Sequence, residues 1–340
     1  MRILDRSWLA ALAATPLVFT AYSQQSADSA NGTRYEVPRT SWGDPDLSGI
    51  WPGTAMVGVP MQRDEKLGLR NWLTEEEFKA REAQFARQEE QDNADFSLGH
   101  AASTPGGDVG GPVSPPPHWL ERGDPQYQAS LIIDPPNGRM PPLTDAGQAR
   151  QAAVRAAREG RGPADSYTDR SLYDRCITRG MVGSLTPAIY NAGNEITQSP
   201  GYVVIRNEMI HEARVVPLDD RPPLGPAIKQ WVGDSRGHWD GDTLVVETTN
   251  FTNRTNVGQA RHSDQLKITE RYTRIDEDTL VLRLTVQDPA TWTAPWTLEL
   301  PLQRDDSYGM FEYACHEGNL AMFNILSGHR ADERAAAGKR

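Results

Sequence analysis

A series of short apolar runs after Cys176 is the feature that most constrains the fold of this chain. The runs occupy 201–205, 213–216, 242–248, 266–273, 279–286 and 296–300, with residues typical of turns between them. Short runs at close, regular spacing favour an antiparallel sandwich or barrel. Residues 239–242 and 275–278 have the composition of hairpin turns. We therefore expect a mainly β fold, with residues 176–330 forming an antiparallel, lipocalin-like barrel core.

The alternation of side chains in the run 266–273 identifies a candidate site residue. Side chains two positions apart share one face of a strand, so Leu266, Ile268, Glu270 and Tyr272 would lie together. If this apolar face is the interior, Glu270 is a carboxylate that points into the core.

The region before the strands, 41–175, is predicted to be irregular and packed on the barrel. It contains two expected helices, near 74–91 and 144–159. Thr74 and Glu77 form a capping-box pattern for the first, and Thr144 caps the second. The segment 92–117 is rich in Gly and Pro and has no hydrophobic period, which is typical of an irregular connection. Residues 331–340 are predicted to be a disordered tail.

The first 23 residues have the pattern of a signal peptide. Arg2 and Arg6 precede an apolar stretch, and Ala21-x-Ser23 supplies the small residues of a cleavage site. An ordinary N-terminal helix or membrane anchor is the alternative. However, Pro16 interrupts the stretch, which falls short of the roughly 20 residues that span a bilayer. We expect a mature chain that begins with a flexible leader at 24–40, has no membrane span and is periplasmic or secreted.

The overall charge excludes one broad class of function. With 35 Lys and Arg against 46 Asp and Glu, the formal net charge is 35 − 46 = −11. A nucleic-acid-binding protein needs a surplus of clustered basic residues. We therefore expect a small-molecule partner rather than a nucleic acid.

Cys176 and Cys315 are the two cysteines of the chain. In an oxidising compartment an even pair favours a disulfide, which would close a loop of 315 − 176 = 139 positions. In the chain-entropy model, such a bond stabilises the folded state by roughly 5 kcal/mol at most. Two buried thiols, or a catalytic Cys315 beside His316, remain as alternatives.

Seven blocks of the sequence resemble a widespread family of exported bacterial proteins of unknown function. They are GDPDLSGIW (43–51), SLIIDPPNGRMPPLT (130–144), RCITRG (175–180), GDSRGHWDGDTLVVETTNF (233–251), HSDQLKITERYTRID (262–276), DPATWTAPW (288–296) and FEYACHEGN (311–319). The resemblance implies a calycin-type, lipocalin-like β-barrel behind an irregular region. Family members tend to have Asp-Gly-Arg where this chain has Asp219-Asp220-Arg221, so the shape of that turn is open.

Polar residues in or beside the β runs are the candidates for chemistry. Burial moves the pKa of a histidine or carboxylate, which general acid–base catalysis exploits. We predict His262 and Glu270 as the catalytic pair, with Arg221 or Arg271 orienting an anionic or oxygenated substrate. The remaining predicted substrate-binding residues are His211, His238, Asp242, Trp296, Glu312 and His316. Hydrogen bonds that only hold strands together are the alternative interpretation.

Metal and cofactor signals are weak. Glu312 and His316 would share a helix face if that segment were helical, with His262 or His211 as a further ligand. No close ligand spacing, G-x-S-x-G elbow or phosphate-binding loop occurs. We predict neither a metal nor a cofactor.

The sequence thus predicts an exported β-barrel protein that binds a small organic molecule. Metal-independent acid–base turnover would make it a lyase, isomerase or hydrolase. The alternatives are a non-catalytic lipocalin-like binding protein and an envelope accessory that docks on a partner through 92–117.

Overall fold

A computed structural model of the chain describes residues 35–93 and 120–338. The predicted signal peptide, most of the leader and nearly all of the 92–117 segment lie outside these ranges. The chain divides into two units, 1–36 and 37–340, and every described helix and strand belongs to the second unit.

Two antiparallel sheets form the framework. One has four strands in the order β1-β3-β4-β5, and the other has six in the order β2-β12-β11-β10-β7-β6, while β8 and β9 pair separately. The strands are β1 Gly49–Ile50, β2 Ile132–Asp134, β3 Asn194–Ser199, β4 Tyr202–Asn207, β5 Ala213–Pro217, β6 Asp234–Asp240, β7 Thr243–Thr249, β8 Asn256–Val257, β9 Ala260–Arg261, β10 Lys267–Arg274, β11 Thr279–Gln287 and β12 Trp296–Gln303.

The mainly β, antiparallel prediction is confirmed. All six predicted runs fall on strands, and both predicted hairpin turns connect paired strands, β6 to β7 and β10 to β11. Within the described ranges, no backbone ladder joins the two sheets into a closed barrel. The region before Cys176 is also more than a covering layer, because β1 pairs with β3 and β2 pairs with β12.

In the described part of the chain, four α-helices accompany the sheets: α1 Glu75–Asn93, α2 Asp145–Ala156, α3 Met181–Leu185 and α4 Leu320–Ala337. Single 3₁₀ turns lie at Thr54–Met56, Glu65–Leu67, Tyr167–Asp169 and Met209–His211. The two predicted helices are confirmed together with their caps. Thr74 and Glu77 form the reciprocal capping box, and the Thr144 hydroxyl accepts from the Gly147 amide at 3.0 Å.

Helix α4 extends further towards the C-terminus than expected. The predicted disordered tail is wrong for residues 331–337, which continue the helix. Residues 335–337 are all alanine, the residue type with the highest helix propensity. Arg330 also pairs with Glu333 one turn later at 2.7 Å, as neighbours on a helix surface do.

The core lies on the inner faces of the sheets and is closely filled. Trp51, Trp296 and Tyr272 are among its largest fully buried side chains. Along β10, burial alternates strictly, so that Ile268, Glu270 and Tyr272 point inward. The sequence-based expectation of an inward-pointing carboxylate at Glu270 is therefore confirmed.

No helix in the described ranges is both long enough and apolar enough to cross a membrane.

Candidate functional site: an arginine-lined cavity

A cavity of about 580 Å³ lies between the segment 168–186 and the segment 254–261. Six arginines line it, with hydroxyl, amide and apolar side chains between them, and none of its described lining residues is acidic. The arginines are Arg158, Arg170, Arg175, Arg179, Arg254 and Arg261. We call this site the arginine cavity.

The local fold brings these arginines together from three stretches of chain. Arg158 directly follows Ala157, the C-cap residue of α2. Arg170, Arg175 and Arg179 follow on the irregular segment that leads into α3. Arg261 is the last residue of β9, and Arg254 lies just before β8. Both arginines therefore lie at the open end of the short β8–β9 hairpin.

Most of the cavity arginines have no carboxylate partner. Among the described residues, only Arg170 of the six forms an ion pair, with Asp174 at 3.1 Å. Arg175 lies over the ring of Tyr167, and Arg179 lies 6.0 Å from the ring centre of Tyr173. These cation–π contacts hold the guanidinium groups without neutralising them.

Two donor atoms of cavity-lining arginines are buried without a hydrogen-bond partner in the described chain. They are Nη1 of Arg179 and Nε of Arg170. Such atoms are rare in native proteins, since leaving a buried donor unpaired costs about 1–3 kcal/mol. Atoms this buried present almost no surface to the cavity, so a bound oxyanion would be held by other guanidinium N–H groups of the lining arginines.

Several covalent and polar links fix the segment that carries Arg175 and Arg179. The predicted disulfide is present, joining Cys176 to Cys315 with 5.7 Å between their Cα atoms. Asn319 donates to the carbonyl of Asp174 at 3.0 Å. The disulfide and this hydrogen bond tie the segment to the start of α4.

A carboxylate fixes the other end of the same segment. Glu212 accepts hydrogen bonds from the hydroxyls of Thr178 and Ser184, which lie on either side of Arg179 in the chain. The backbone that presents Arg179 is therefore held at both ends.

His262 lies immediately behind the cavity wall and is fully buried. Its Nε2 is 2.7 Å from the hydroxyl of Thr255, which lines the cavity, and its Nδ1 is 2.6 Å from the carbonyl oxygen of Ser263. A carbonyl only accepts, so Nδ1 carries the proton and Nε2 accepts from Thr255. Burial lowers the pKa of His262, which keeps the ring neutral near pH 7.

Asp288 organises the loop next to His262. Its carboxylate accepts from the amide and the hydroxyl of Ser263, both at 2.7 Å, and from the hydroxyl of Thr291 at 2.6 Å. The hydroxyl of Thr291 in turn accepts from Arg150 at 3.0 Å. This network fixes the position of the Ser263 carbonyl and hence the tautomer of His262.

Glu270, the predicted partner of His262, belongs to a different network. Arg214 on β5 donates two parallel hydrogen bonds to its carboxylate, at 2.6 and 2.8 Å. Tyr272 donates a third at 2.6 Å. The structure thus does not bring Glu270 and His262 together as a hydrogen-bonded pair, because each is satisfied by other partners.

The charges of the Glu270 network stabilise one another. Burial would lower the pKa of Arg214, but the charge and hydrogen bonds of Glu270 raise it above its usual value. Burial and the neighbouring charge of Glu270 raise the pKa of Tyr272. The network is a closed ion pair that links the two sheets, since β5 and β10 belong to different ones.

The other predicted site residues do not converge on the arginine cavity. Arg221 pairs with Asp219, Arg271 with Asp240 and Asp242 with Arg39. His211 bonds the carbonyl of Tyr313 at 3.0 Å. The remaining three polar residues, His238, Glu312 and His316, are exposed.

Trp296 and the proposed Glu312–His316 ligand pair also differ from expectation. Trp296 is fully buried in the core, 5.9 Å from the Trp292 ring and nearly perpendicular to it. Residues 312–316 are not helical, so Glu312 and His316 do not share a helix face.

One cluster in the described residues has the spacing to hold a metal ion. Asp165, His329 and Glu333 place one ligand atom each within 4.8 Å of one another. However, His329 already bonds Asp165 at 2.9 Å, and Arg330 bonds Glu333 at 2.7 Å. The guanidinium of Arg330 supplies the positive charge that a metal would otherwise bring.

The cavity arginines were not among the site residues predicted from the sequence. A signal was present, because a run of arginines crowds a stretch of an otherwise acidic chain: Arg150, Arg155, Arg158, Arg161, Arg170, Arg175 and Arg179. The expectation of acid–base catalysis selects histidines and carboxylates on or beside strands. It therefore passes over arginines on irregular segments, where most of the cavity arginines lie.

Fold and site together define a mainly β protein with a basic cavity of ligand size. No protein-family model, curated protein or solved structure matches the chain. The functional conclusion therefore depends on the site itself.

Proposed function

We propose that the chain is an exported protein that binds a small organic molecule in the arginine cavity. The single observation that carries this proposal is a cavity of about 580 Å³ whose described lining holds six arginines and no acidic residue. Ligand sites in proteins typically measure about 300–1,000 Å³ and combine apolar lining with a few directed polar groups. Leu172 and Val182 supply apolar lining here.

The proposed binding site is not where a lipocalin-like protein would bind its ligand. In a lipocalin-like barrel, the ligand would lie between the strands. Here the inner faces of the sheets carry one continuous apolar cluster that includes Trp51, Tyr272 and Trp296. We therefore assign the ligand to the arginine cavity. The disulfide supports export, because such bonds persist in oxidising compartments.

Equilibrium dialysis of a metabolite extract against the purified chain, read by mass spectrometry, tests the proposal. Thr168→Trp places a large ring at an exposed residue of the cavity lining. Thr293→Trp makes the same change at an exposed position that does not line the cavity. We expect the unmodified chain and Thr293→Trp to retain the same compounds, and Thr168→Trp to lose them. Equal retention by all three proteins, or by none, would contradict the proposal.

A second candidate function is metal-independent acid–base turnover in the same cavity. The observation that favours it is the hydrogen bond between His262 and Thr255, because Thr255 lines the cavity and His262 is held neutral as a base. A hydroxyl bonded to a neutral imidazole, which is itself oriented by a third group, is the arrangement that activates a hydroxyl. Glu270 has no part in this candidate.

Product formation separates turnover from binding. If turnover occurs, the unmodified chain converts a retained compound into one of different mass, or into an isomer with a different retention time. His262→Gln would still retain the compound but leave it unchanged. Retention without any product in the unmodified chain would exclude this second candidate.

A further inference from the structure

We infer that the ligand of the arginine cavity is a small organic molecule carrying at least two oxyanion groups, phosphoryl or carboxyl. This inference rests on the proposed function, since it names the chemistry of the molecule bound at that same site. Four features of the cavity support it.

The first feature is the sign of the local charge. The chain as a whole carries a formal net charge of −11, yet six arginines and no described acidic residue line the cavity. A basic cavity in an acidic protein is a local exception. It attracts small anions from solution while the rest of the surface repels them.

The second feature is that this charge is only partly compensated from within: Arg170 pairs with Asp174, and the Asp169 carboxylate lies near Arg158. Arg158, Arg179 and Arg254 form no ion pair with any described residue. Burial lowers the pKa of Arg261, and the like charge of Arg158 lowers it further. Clustered cations repel one another unless an anion lies between them.

The third feature is the geometry of the donors. The guanidinium group is planar and donates in a fork that matches a carboxylate or a phosphate. Arg170 and Arg179 both line the cavity and lie on the same stretch of chain. The disulfide and the hydrogen bonds to Glu212 hold this stretch, so its guanidinium groups need little rearrangement to bind an oxygen-rich group.

The fourth feature is the size and mixed lining of the cavity. A volume of about 580 Å³ far exceeds that of a single inorganic oxyanion. Met61, Leu172 and Val182 add apolar surface that suits a carbon skeleton. Five of the six cavity arginines form no ion pair with a described residue, so the lining has donors for more than one anionic group.

Isothermal titration calorimetry of the disulfide-bonded mature chain tests the inference with three small probes. They are citrate, fructose 1,6-bisphosphate and neutral fructose, titrated at low ionic strength. We expect at least one anion to bind and fructose not to bind. Binding by citrate alone identifies carboxyl chemistry, and binding by the bisphosphate alone identifies phosphoryl chemistry. If neither anion binds more tightly than fructose, the inference is overturned.

Two variants and one control locate the binding. Arg179→Met keeps an unbranched apolar stem but removes the guanidinium group, and we expect about tenfold weaker anion binding. Arg254→Met, at an exposed position, provides a second variant in case the first does not fold. Arg334→Met removes one exposed arginine of α4 that does not line the cavity, and it should bind as the unmodified chain does. Equal affinity for all three variants would place the anion elsewhere and overturn the inference.

Calorimetry and dialysis together distinguish failure of this inference from failure of the proposed function. If dialysis retains neutral compounds in a manner that Thr168→Trp abolishes, the cavity binds small molecules and only the polyanion chemistry is wrong. If dialysis retains no compound and no probe binds, both proposals are wrong.

Discussion

Arg214 and the arginines of the cavity are the same residue type in opposite electrostatic settings. Arg214 is buried, and its guanidinium donates two hydrogen bonds to Glu270, which Tyr272 completes with a third. Arg179 has a buried Nη1 with no partner among the described residues and no carboxylate beside it. The charge of Arg214 is neutralised by a carboxylate of the protein, whereas Arg179 forms no ion pair with a described residue.

This difference separates structure from function in the chain. A closed ion pair between β5 and β10 holds the two sheets in place and has no free group for a ligand. An open cluster of guanidinium groups contributes nothing comparable to folding, because like charges repel. We therefore expect substitutions in the first region to change stability and substitutions in the second to change binding.

The largest effect is expected at Glu270. Glu270→Gln leaves the guanidinium of Arg214 buried without its counter-ion, which should lower the free energy of unfolding by about 3–5 kcal/mol. Chemical denaturation monitored by tryptophan fluorescence measures this loss. The matched double variant Arg214→Met with Glu270→Leu removes both charges and should recover most of the stability. A double variant as unstable as Glu270→Gln would show that the ion pair is not the cause.

The next largest effect is expected for the disulfide, which holds the segment that carries two of the cavity arginines. Replacing Cys176 and Cys315 together by serine should cost about 2–4 kcal/mol of unfolding free energy. The same change frees the segment that presents Arg175 and Arg179. Anion affinity measured by calorimetry should therefore fall even under conditions where the variant remains folded. Unchanged affinity in the folded variant would show that the cavity does not depend on this link.

A smaller effect is expected from protonation of His262. Its pKa is lowered by burial from an ordinary value of 6.5, so the unfolded chain binds the proton more readily than the folded chain. Stability contributed by the neutral ring is present above pH 6.5 and declines as the pH falls below it, by at most about 1.4 kcal/mol per pH unit. Unfolding curves between about pH 7 and pH 5 measure this slope. His262→Gln should show a shallower slope, and an equal slope would assign the titration to other groups.

The smallest effect is expected at the exposed pair of Arg271 and Asp240. Their charged atoms are 2.7 Å apart but lie in solvent, where water and salt screen the attraction. Arg271→Ala should leave both the melting temperature and the anion affinity unchanged within error. A clear loss of affinity would restore Arg271 to the binding role that the sequence predicted.

The sequence predicts elements that local chemistry decides. The inward position of Glu270 follows from strand alternation, and the start of α2 follows from Thr144, so both predictions hold. The disulfide is likewise predicted, from an even pair of cysteines together with the expectation of an oxidising compartment.

The site is harder to predict because it depends on contacts between distant segments. Glu270 and His262 are eight residues apart, yet their partners, Arg214 and Thr255, come from other elements. Nothing in the local sequence around Arg179 shows that it lacks a counter-ion. Only the packed structure shows which charges are paired.

The most direct test of the central claim compares unfolding of Arg179→Met and Arg214→Met in the absence and presence of citrate or fructose 1,6-bisphosphate, whichever binds the unmodified chain. Without anion, we expect Arg214→Met to be strongly destabilised and Arg179→Met to melt close to the unmodified chain. With anion, the melting temperature should rise for the unmodified chain and for Arg214→Met, but much less for Arg179→Met. Strong destabilisation of Arg179→Met together with an undiminished rise on adding the anion would contradict the claim, because Arg179 would then be a structural arginine.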